Sequence, residues 1–248
     1  MGAGSQGESS LASRSFPVLV VTGETSGEQH AAGLIGQIEH QNPEWEVQWF
    51  GSGGPQMAAA GVDLLEDVSQ LAAVGPWEAL SQMGVYWRAY RRILSEVGRR
   101  RPKLAILVDF PEFNLKLARR LKKMEVPVCY FIGPQIWAWR PGRAKKMARY
   151  IDHVLALFPF EPPLMEAEGM ACDFVGHPVV GEKIATHREA AAFRQAHEIG
   201  DAPLMLVLPG SRRSEVARLS DVFGDAVARF SQTHPDLRVV IPAAGPVA

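Results

Sequence analysis

The residues with the clearest potential for chemistry lie at the end of an apolar run. Asp109 directly follows Leu104–Val108, and the chain then turns through Pro111. A carboxylate at the carboxyl end of a parallel strand points into the crevice where open α/β sheets bind ligands. There it can act as a general base that takes a proton from a hydroxyl group. The same position also suits the N-cap of a helix predicted to begin near residue 112, which is a common role of aspartate.

A second polar turn, Gly23–Glu28, follows the apolar run Val18–Thr22 and opens a helical pattern. Backbone N–H groups in such a turn can bind an anion or a sugar oxygen. Glu24 can bind hydroxyl groups or act as a second acid or base. The alternative is a plain glycine turn in which Thr25 or Ser26 caps the helix.

Two tryptophans lie two positions apart in the octapeptide Gly-Pro-Gln-Ile-Trp-Ala-Trp-Arg, residues 133–140, which follows the apolar run Val126–Ile132. An exposed tryptophan is costly unless its ring stacks on or covers something. Trp137 and Trp139 can therefore form part of a ligand site. The alternative is that both rings fill the core beneath a loop.

Strand-like apolar runs alternate with helical patterns, which predicts parallel βαβ units and a doubly wound sheet. The segment Gly176–Gly181 has the pattern of a crossover into a second α/β unit. The predicted strands are Val18–Thr22, Val47–Phe50, Leu104–Val108, Val128–Ile132 and His153–Leu157, followed by Leu204–Leu208 and Leu237–Ile241 in the second unit. The predicted helices cover about 27–40, 78–99, 112–124, 141–149, 187–198 and 213–232.

The composition is that of an ordinary soluble globular protein, with 47% hydrophobic and 21% charged residues. No apolar run approaches the ~20 residues needed to span a bilayer. Residues 1–15 are rich in Ser and Gly, so we expect a disordered tail and not a signal peptide. Cys129 and Cys172 lie in apolar runs and are expected to be buried free thiols. We predict no metal site, because the sequence has neither a Cys/His cluster with zinc-ligand spacing nor an Asp-x-Asp pair.

Positive charge is concentrated in one part of the chain. Residues 88–149 contain 17 Lys and Arg against 4 Asp and Glu, although the net charge of the whole chain is −1. Such a block suggests an anionic ligand, nucleic acid or a membrane surface. The alternative is a set of helix faces that simply solvate their charges.

The basic block begins in a segment with helical apolar periodicity, which is flanked by arginines. A basic amphipathic helix can lie on an anionic membrane. The alternative is an ordinary helix that faces the core, which we favour for the Leu94–Val97 end. The apolar stripe consists of Leu80, Met83, Trp87, Tyr90, Leu94 and Val97.

Six blocks occur in a fixed order along the chain: Gly23–Glu28, Asp109–Asn114, Gly133–Arg140, Phe158–Glu161, Gly176–Pro178 and Gly210–Arg212. Together they closely resemble the lipid-A-disaccharide synthase family, inverting glycosyltransferases of bacterial outer-membrane biogenesis. The Trp-Ala-Trp and Gly-Glu-Thr-Ser-Gly blocks are specific to that family. The sequence departs from it at Glu112 and at Glu28, where most relatives carry Asp.

The resemblance implies an α/β fold of glycosyltransferase-B type, with one Rossmann-like parallel-sheet domain and an incomplete second one. Residues 1–15 are then the tail, and residues 16–180 form an N-terminal acceptor-binding domain. Residues 181–248 form a linker and the start of a C-terminal domain for the donor nucleotide.

The resemblance also implies the roles of individual residues. Asp109 is the catalytic carboxylate, and Glu24 is a second catalytic group. Val74, Trp77, Leu80, Met83 and Trp87 face the membrane and the acyl chains. Gly210, Ser211 and Arg212 bind the donor diphosphate, with Arg212 in place of a metal because its charge is permanent and its donors form a fork. Substrate binding falls to Gly23, Ser26, Gly27, Asn114, Gln135, Trp137, Trp139, Arg140 and His177. For Asn114 the bonding partner is either a sugar or the backbone.

The implied reaction transfers 2,3-diacylglucosamine from UDP-2,3-diacylglucosamine to 2,3-diacylglucosamine 1-phosphate. Its products are the β-1,6-linked lipid A disaccharide 1-phosphate and UDP. No cofactor, metal or nucleic acid is implied. The implied partners are the two lipid sugars and an anionic membrane surface, with the protein on the cytoplasmic side of the inner membrane and dimeric in its full-length form.

Family members continue beyond this length, into a Gly-Thr-Ala-x-x-Glu-like donor motif and a dimerisation segment. We therefore expect the 248-residue chain alone to have little transferase activity. Two other functions stay open. One is a UDP-sugar epimerase or a murein-type glucosaminyltransferase, which share the architecture but lack the Trp-Ala-Trp block. The other is a non-catalytic module that binds lipid or nucleotide.

Overall fold

The structure is a computed structural model that describes residues 14–23, 25–67, 83–138, 142–181, 186–210 and 213–242. These residues form two compact units, one up to Val180 and one from Gly181 onward. Of the predicted tail, residues 1–13 lie outside the described residues. Arg14 and Ser15 begin the first strand instead, because they pair with the neighbouring strand.

The first unit is built on a sheet of seven parallel strands in the order β3-β2-β1-β4-β5-β6-β7. From β1 the chain first adds β2 and β3 on one side, and then returns to add β4 to β7 on the other side of β1. This is the doubly wound topology. A ligand crevice is expected between β1 and β4, where the direction reverses. The strands are β1 (Arg14–Val21), β2 (Trp45–Gly53), β3 (Asp63–Asp67), β4 (Leu104–Val108), β5 (Val128–Phe131), β6 (His153–Ala156) and β7 (Ala171–Phe174).

Side chains alternate between the two faces of the sheet along each strand. Both faces of this sheet carry apolar side chains, and helices cover both. Val18 and Val20 belong to one core cluster, and Leu19 and Val21 belong to the other. The helices of the unit are α1 (Thr25–Gln41), α2 (Pro55–Ala59), α3 (Met83–Arg100), α4 (Pro111–Lys123), α5 (Gly142–Met147) and α6 (Glu161–Glu166), followed by a 3₁₀ turn at Pro178–Gly181.

The second unit contains a two-stranded parallel sheet. Its strands are β8 (Leu204–Leu206) and β9 (Arg238–Val240), and its helices are α7 (His187–Ala196) and α8 (Arg213–Thr233). A capping box holds the start of α7, because the side chains of Thr186 and Glu189 each bond to the other's backbone N–H. The strand–helix–strand order agrees with the α/β pattern predicted for this part of the sequence.

Candidate active site

Asp109 and Gly23 leave adjacent strands at the same level. Val21 of β1 pairs with Leu107 of β4, so each of these residues stands two positions beyond a paired residue. Both turns therefore lie at the carboxyl edge, at the reversal between β1 and β4. Glu24, the neighbouring predicted catalytic residue, lies outside the described residues.

The backbone at Asp109 is strained. Asp109 and Phe110 have φ values of +48° and +50°, the left-handed region that residues with side chains rarely enter. Phe110 is the N-cap of α4, and its side chain makes no cap hydrogen bond. Phe110 and not Asp109 therefore takes the N-cap position of α4, and the role of Asp109 as a general base stays a prediction.

Two buried side chains hold the strained turn. The Tyr130 hydroxyl donates to the Asp109 carbonyl oxygen at 2.7 Å, and Asn114 Nδ2 donates to the same oxygen at 2.7 Å. Both side chains are fully buried. A strained backbone conformation costs roughly 1–3 kcal/mol per residue, and each hydrogen bond returns about 1 kcal/mol. The two hydrogen bonds thus offset part of the strain at Asp109 and Phe110.

For Asn114 the sequence left two bonding partners open, a sugar or the backbone, and in this structure its side chain bonds to the backbone. Its amide also donates to the Val108 carbonyl oxygen at 3.2 Å. Its Oδ1 atom is buried and has no hydrogen-bond partner among the described residues. The side chain is 0% exposed and supports the Asp109 turn, while its role in substrate binding stays a prediction.

A cavity of about 570 Å³ opens beside Asp109, within the usual size of small-molecule sites. Its polar side chains come from the turns that follow β4, β5 and β7 and from helices α4 and α5. Its lining consists of Asp109, Pro111, Glu112, Ile132, Gly133, Pro134, Gln135, Ile136, Arg143, Leu157 and His177. Two predicted substrate residues, Gln135 and His177, thus share a cavity with the predicted base.

The cavity is bordered by unusual backbone on two strands. Ile132, directly after β5, has a φ of +59°, which is an outlier for a β-branched residue. Three of the other positive-φ residues that carry side chains, Arg101, Glu125 and Glu198, follow helix ends, where this conformation is common. The strain that helix termination does not explain therefore lies at Asp109, Phe110 and Ile132, around the cavity.

Two charged side chains of the cavity lining, Asp109 and Arg143, act on the buried hydroxyl of Tyr130. Burial first, and the Asp109 carboxylate second, raise the pKa of Tyr130 well above its usual value, and the Arg143 guanidinium opposes this. Arg143 also donates to Glu112 Oε1 at 3.1 Å. Neither Tyr130 nor Arg143 was among the predicted site residues, because one reads as an ordinary strand residue and the other as part of the basic block.

Trp137 lies at the surface, so it is not core filler. Its ring is 44% exposed, and its Nε1 donates to Glu161 Oε1 at 3.1 Å. Glu161 is buried, and its other oxygen accepts hydrogen bonds from the backbone N–H groups of Leu157 and Phe158. The rings of Phe158 and Phe160 pack edge-on against Trp137. A buried carboxylate thus fixes an exposed aromatic surface.

The Gly23–Glu28 turn is packed tightly against its surroundings. A Cβ atom at Gly23 would overlap the ring of Phe110, and one at Gly27 would lie 2.5 Å from Thr22 Oγ1. The Glu28 carboxylate is buried and accepts a hydrogen bond from the Gln56 backbone N–H, at the start of α2. Glu28 therefore has a structural partner, while Ser26 is exposed.

Some of the other predicted site residues lie within the described part of the chain, and the rest lie outside it. His177 Nδ1 accepts a hydrogen bond from the Val179 N–H at 3.2 Å, and its ring lies against Phe158. Gly210 has a φ of +127° and lies against Glu215 within the second unit. Trp87 is 59% exposed, and Met83 begins α3. Outside the described residues lie Trp139, Arg140, Ser211, Arg212, Val74, Trp77 and Leu80.

The described part of the chain has no group of three or more His, Cys, Asp and Glu side chains that could hold a metal ion. No helix in that part combines the length and the apolar character needed to cross a bilayer.

A family model described as lipid-A-disaccharide synthetase matches residues 18–247. A lipid-A-disaccharide synthase from Ruegeria pomeroyi is 45% identical over 96% of this chain, and one from Myxococcus xanthus is 40% identical over 92%. The chain spans 59% of the length of each.

Solved structures support the fold. A UDP-GlcNAc 2-epimerase from Neisseria meningitidis bound to UDP-GlcNAc matches 93% of this chain and 66% of its own, with a TM-score of 0.62 and 11% identity. A putative UDP-N-acetylglucosamine 2-epimerase from Listeria monocytogenes matches 92% of this chain and 62% of its own, with a TM-score of 0.64 and 13% identity. The predicted α/β fold of glycosyltransferase-B type, with its Rossmann-like parallel sheet, is confirmed.

Proposed function

The chain belongs to the lipid-A-disaccharide synthetase family, and we propose that it provides the acceptor site and general base of that family's glycosyl transfer. The donor is UDP-2,3-diacylglucosamine, and the acceptor is 2,3-diacylglucosamine 1-phosphate. The products are the β-1,6-linked disaccharide 1-phosphate and UDP. Support comes from the family membership and from the geometry around Asp109.

One observation carries the proposal. Asp109 lines a cavity at the carboxyl edge of the sheet, on a strained turn held by Tyr130 and Asn114. Backbone strain of this kind persists where surrounding structure enforces it and clusters at functional sites. These hydrogen bonds hold the backbone from which the carboxylate extends, and a general base needs a defined position relative to the proton that it takes.

The proposed step is a direct displacement. The 6-hydroxyl oxygen of the acceptor attacks the anomeric carbon of the donor, and its proton passes to the Asp109 carboxylate. The bond between the anomeric carbon and the diphosphate oxygen breaks, and its electron pair leaves with UDP. Attack from the face opposite the leaving group inverts the anomeric centre.

The leaving diphosphate gains negative charge in this step and needs fixed positive partners. We assign that role to Gly210, Ser211 and Arg212, where backbone N–H groups and a guanidinium can bind phosphate oxygens. Glu24 remains assigned as a second catalytic group. Substrate binding remains assigned to Asn114, Gln135, Trp137, Trp139, Arg140 and His177, together with the glycine turn that contains Gly23, Ser26 and Gly27.

The membrane-facing role rests on α3. Trp87 is exposed, and so are Arg88, Arg91 and Arg92. An exposed aromatic ring beside arginines suits the interface of an anionic bilayer. We propose that this surface and the 74–83 segment bring the protein to the cytoplasmic face of the inner membrane, where its two lipid substrates reside. Dimerisation of the full-length protein remains part of the proposal.

The test is the Asp109→Asn variant. Turnover is measured as UDP released in the presence of the acceptor, for the 248-residue chain alone and joined to the part of the R. pomeroyi relative that this chain does not cover. Asp109→Asn is expected to lower turnover by about 10²–10⁴-fold, because it removes the base. Asp173→Asn, at an exposed position on β7, serves as the control.

Turnover near the wild-type value in Asp109→Asn would remove Asp109 as the base. Binding of both lipid sugars without any UDP release, in either form of the protein, would favour a non-catalytic binding module. Conversion of the UDP-sugar without an acceptor would favour an epimerase.

A further inference from the structure

Arg143 is carried into the cavity by a short helix with a fixed position. Its neighbours on α5, Ala144 and Met147, are buried in the core. The side chain of Arg143 is only 21% exposed, and it lines the same cavity as Asp109. Among the described residues that line this cavity, Arg143 is the one Lys or Arg.

The partner of Arg143 in this structure is a weak one. Glu112 accepts a single hydrogen bond from the guanidinium at 3.1 Å, and its own side chain is 75% exposed. Ion pairs with an exposed member contribute little, because water and side-chain entropy oppose them. A guanidinium has five N–H donors in a planar fork. An incoming anion that takes two of them at once can therefore displace Glu112.

The charge of Arg143 and that of Asp109 meet at one buried group. The Tyr130 hydroxyl feels both, with opposite effects on its pKa. The cation and the proposed base also line the same cavity. In a pyranose the carbon that carries the 6-hydroxymethyl group and the anomeric carbon both flank the ring oxygen, so a sugar that presents its 6-hydroxyl to Asp109 keeps its anomeric substituent in the same cavity.

We propose that Arg143 binds the phosphate group at the anomeric carbon of the acceptor sugar, displacing Glu112 from the guanidinium. This inference rests on the proposed function, since it assumes that the acceptor occupies this cavity. The planar fork matches two phosphate oxygens, and the paired carboxylate keeps the guanidinium extended before the ligand arrives. Arg143 is then a specificity-determining residue that selects phosphorylated acceptors.

The test compares one ligand with and without its phosphate. Dissociation constants are measured by calorimetry in dodecyl maltoside micelles for 2,3-diacylglucosamine 1-phosphate and for 2,3-diacylglucosamine. The wild-type 248-residue chain is expected to prefer the phosphorylated form by about tenfold or more, the usual effect of a charge-assisted hydrogen-bond pair. Arg143→Gln is expected to lose most of this preference. Arg149→Gln, at an exposed position outside the cavity lining, is expected to keep it.

Two further variants sharpen the result. Arg143→Lys keeps the charge but not the fork, so it is expected to lose part of the preference; a full preference in this variant overturns recognition by the fork, even if Arg143→Gln fails to fold. Glu112→Gln removes the competing carboxylate charge and is expected to strengthen binding of the phosphorylated form. Near-ultraviolet circular dichroism checks the fold of each variant.

Several outcomes overturn the inference, and they can be told apart. If the wild-type chain binds both sugars equally, the proposed function survives and the role of Arg143 does not. If neither sugar binds, the acceptor site itself is wrong. A third outcome is that UDP or phosphatidylglycerol displaces the sugar phosphate from the wild type but does not compete in Arg143→Gln. In that case Arg143 binds the phosphate of the nucleotide or of the lipid headgroup and not that of the acceptor sugar.

Discussion

The ring of Phe110 lies against the backbone of Gly23, so that position 23 has no room for a Cβ atom. Through this contact the turn that follows β1 is packed against the turn that follows β4. The glycine is required by close approach and not by its φ angle. The two turns that the sequence singled out for chemistry are therefore mechanically joined.

Gly23→Ala is expected to destabilise the protein by about 1–3 kcal/mol, because the methyl group must displace the Phe110 ring. Urea unfolding followed by far-ultraviolet circular dichroism measures this. Gly33→Ala is the matched control, since a Cβ atom at position 33 of α1 meets nothing within 4 Å. That variant is expected to gain up to about 1 kcal/mol. Equal stability of Gly23→Ala and the wild type would contradict the close contact.

Tyr130→Phe removes one of the two hydrogen bonds to the Asp109 carbonyl oxygen. We expect a loss of about 0.5–1.5 kcal/mol in the free energy of unfolding. Tyr150→Phe, at a partly buried tyrosine, is the control. Because Tyr130 and Asn114 share one acceptor, a double-mutant cycle with Asn114→Ala is expected to show coupling of at least about 0.5 kcal/mol. Strict additivity would mean that the two side chains do not act on the same turn.

Glu161→Gln tests the support beneath Trp137. The amide of glutamine cannot accept from three N–H donors as the carboxylate does, so we expect a loss of about 1–3 kcal/mol. Freed from its bond, the indole is expected to become more exposed and its fluorescence more easily quenched by acrylamide. Glu166→Gln, at an exposed position of the same helix, is the control. Unchanged quenching would show that Trp137 is held by its ring contacts alone.

Trp87→Ser tests the membrane surface on α3. Binding to anionic vesicles is expected to fall in this variant, because insertion of the ring is lost. In the wild type, binding is expected to weaken partly at 1 M salt, where the Debye length falls to about 3 Å, while the apolar contribution persists. The control is Trp45→Ser, which removes a tryptophan that is 37% exposed at the start of strand β2. This variant is expected to bind like the wild type. Vesicle co-sedimentation distinguishes these cases.

Both thiols are expected to be unreactive in the folded protein at neutral pH. Burial raises the pKa of Cys129 and of Cys172 from 9.0 to about 11. Between those values the unfolded chain loses thiol protons that the folded chain keeps, so the thiols' contribution to stability falls as the pH rises above about 9. Iodoacetamide at pH 8 should modify both residues quickly in urea and slowly without it. Cys172 is buried and Cys129 is partly buried, so rapid labelling of the folded protein would contradict the raised pKa of both thiols.

The sequence predicted most of the first sheet, because buried parallel strands appear as uninterrupted apolar runs. Strand β4 has the predicted bounds, and helix α4 begins one residue before its predicted start. Strands β3 and β7 were missed. In Asp63–Asp67 only Leu65 is buried, and in Ala171–Phe174 only Cys172 is. Edge strands of this kind carry no apolar pattern to detect.

The site was predicted only where one block carries its own signal. Asp109 stands out because it ends an apolar run. The exposure of Trp137 depends on Glu161, which lies in another block, so local sequence left its two roles open. Arg143 is one of many basic residues in its region, and only the three-dimensional structure separates it from those that face solvent.

The left-handed backbone at Asp109 places protein stability and the proposed activity in conflict at one position. Glycine enters that conformation at lower cost than residues with a side chain, and it lacks the carboxylate. Under the proposed function, variants selected for heat resistance alone would therefore drift toward Gly at position 109 and lose the proposed base. Under the same proposal, variants selected for growth would keep Asp109 and gain stability at positions outside the site, because active sites trade stability for activity.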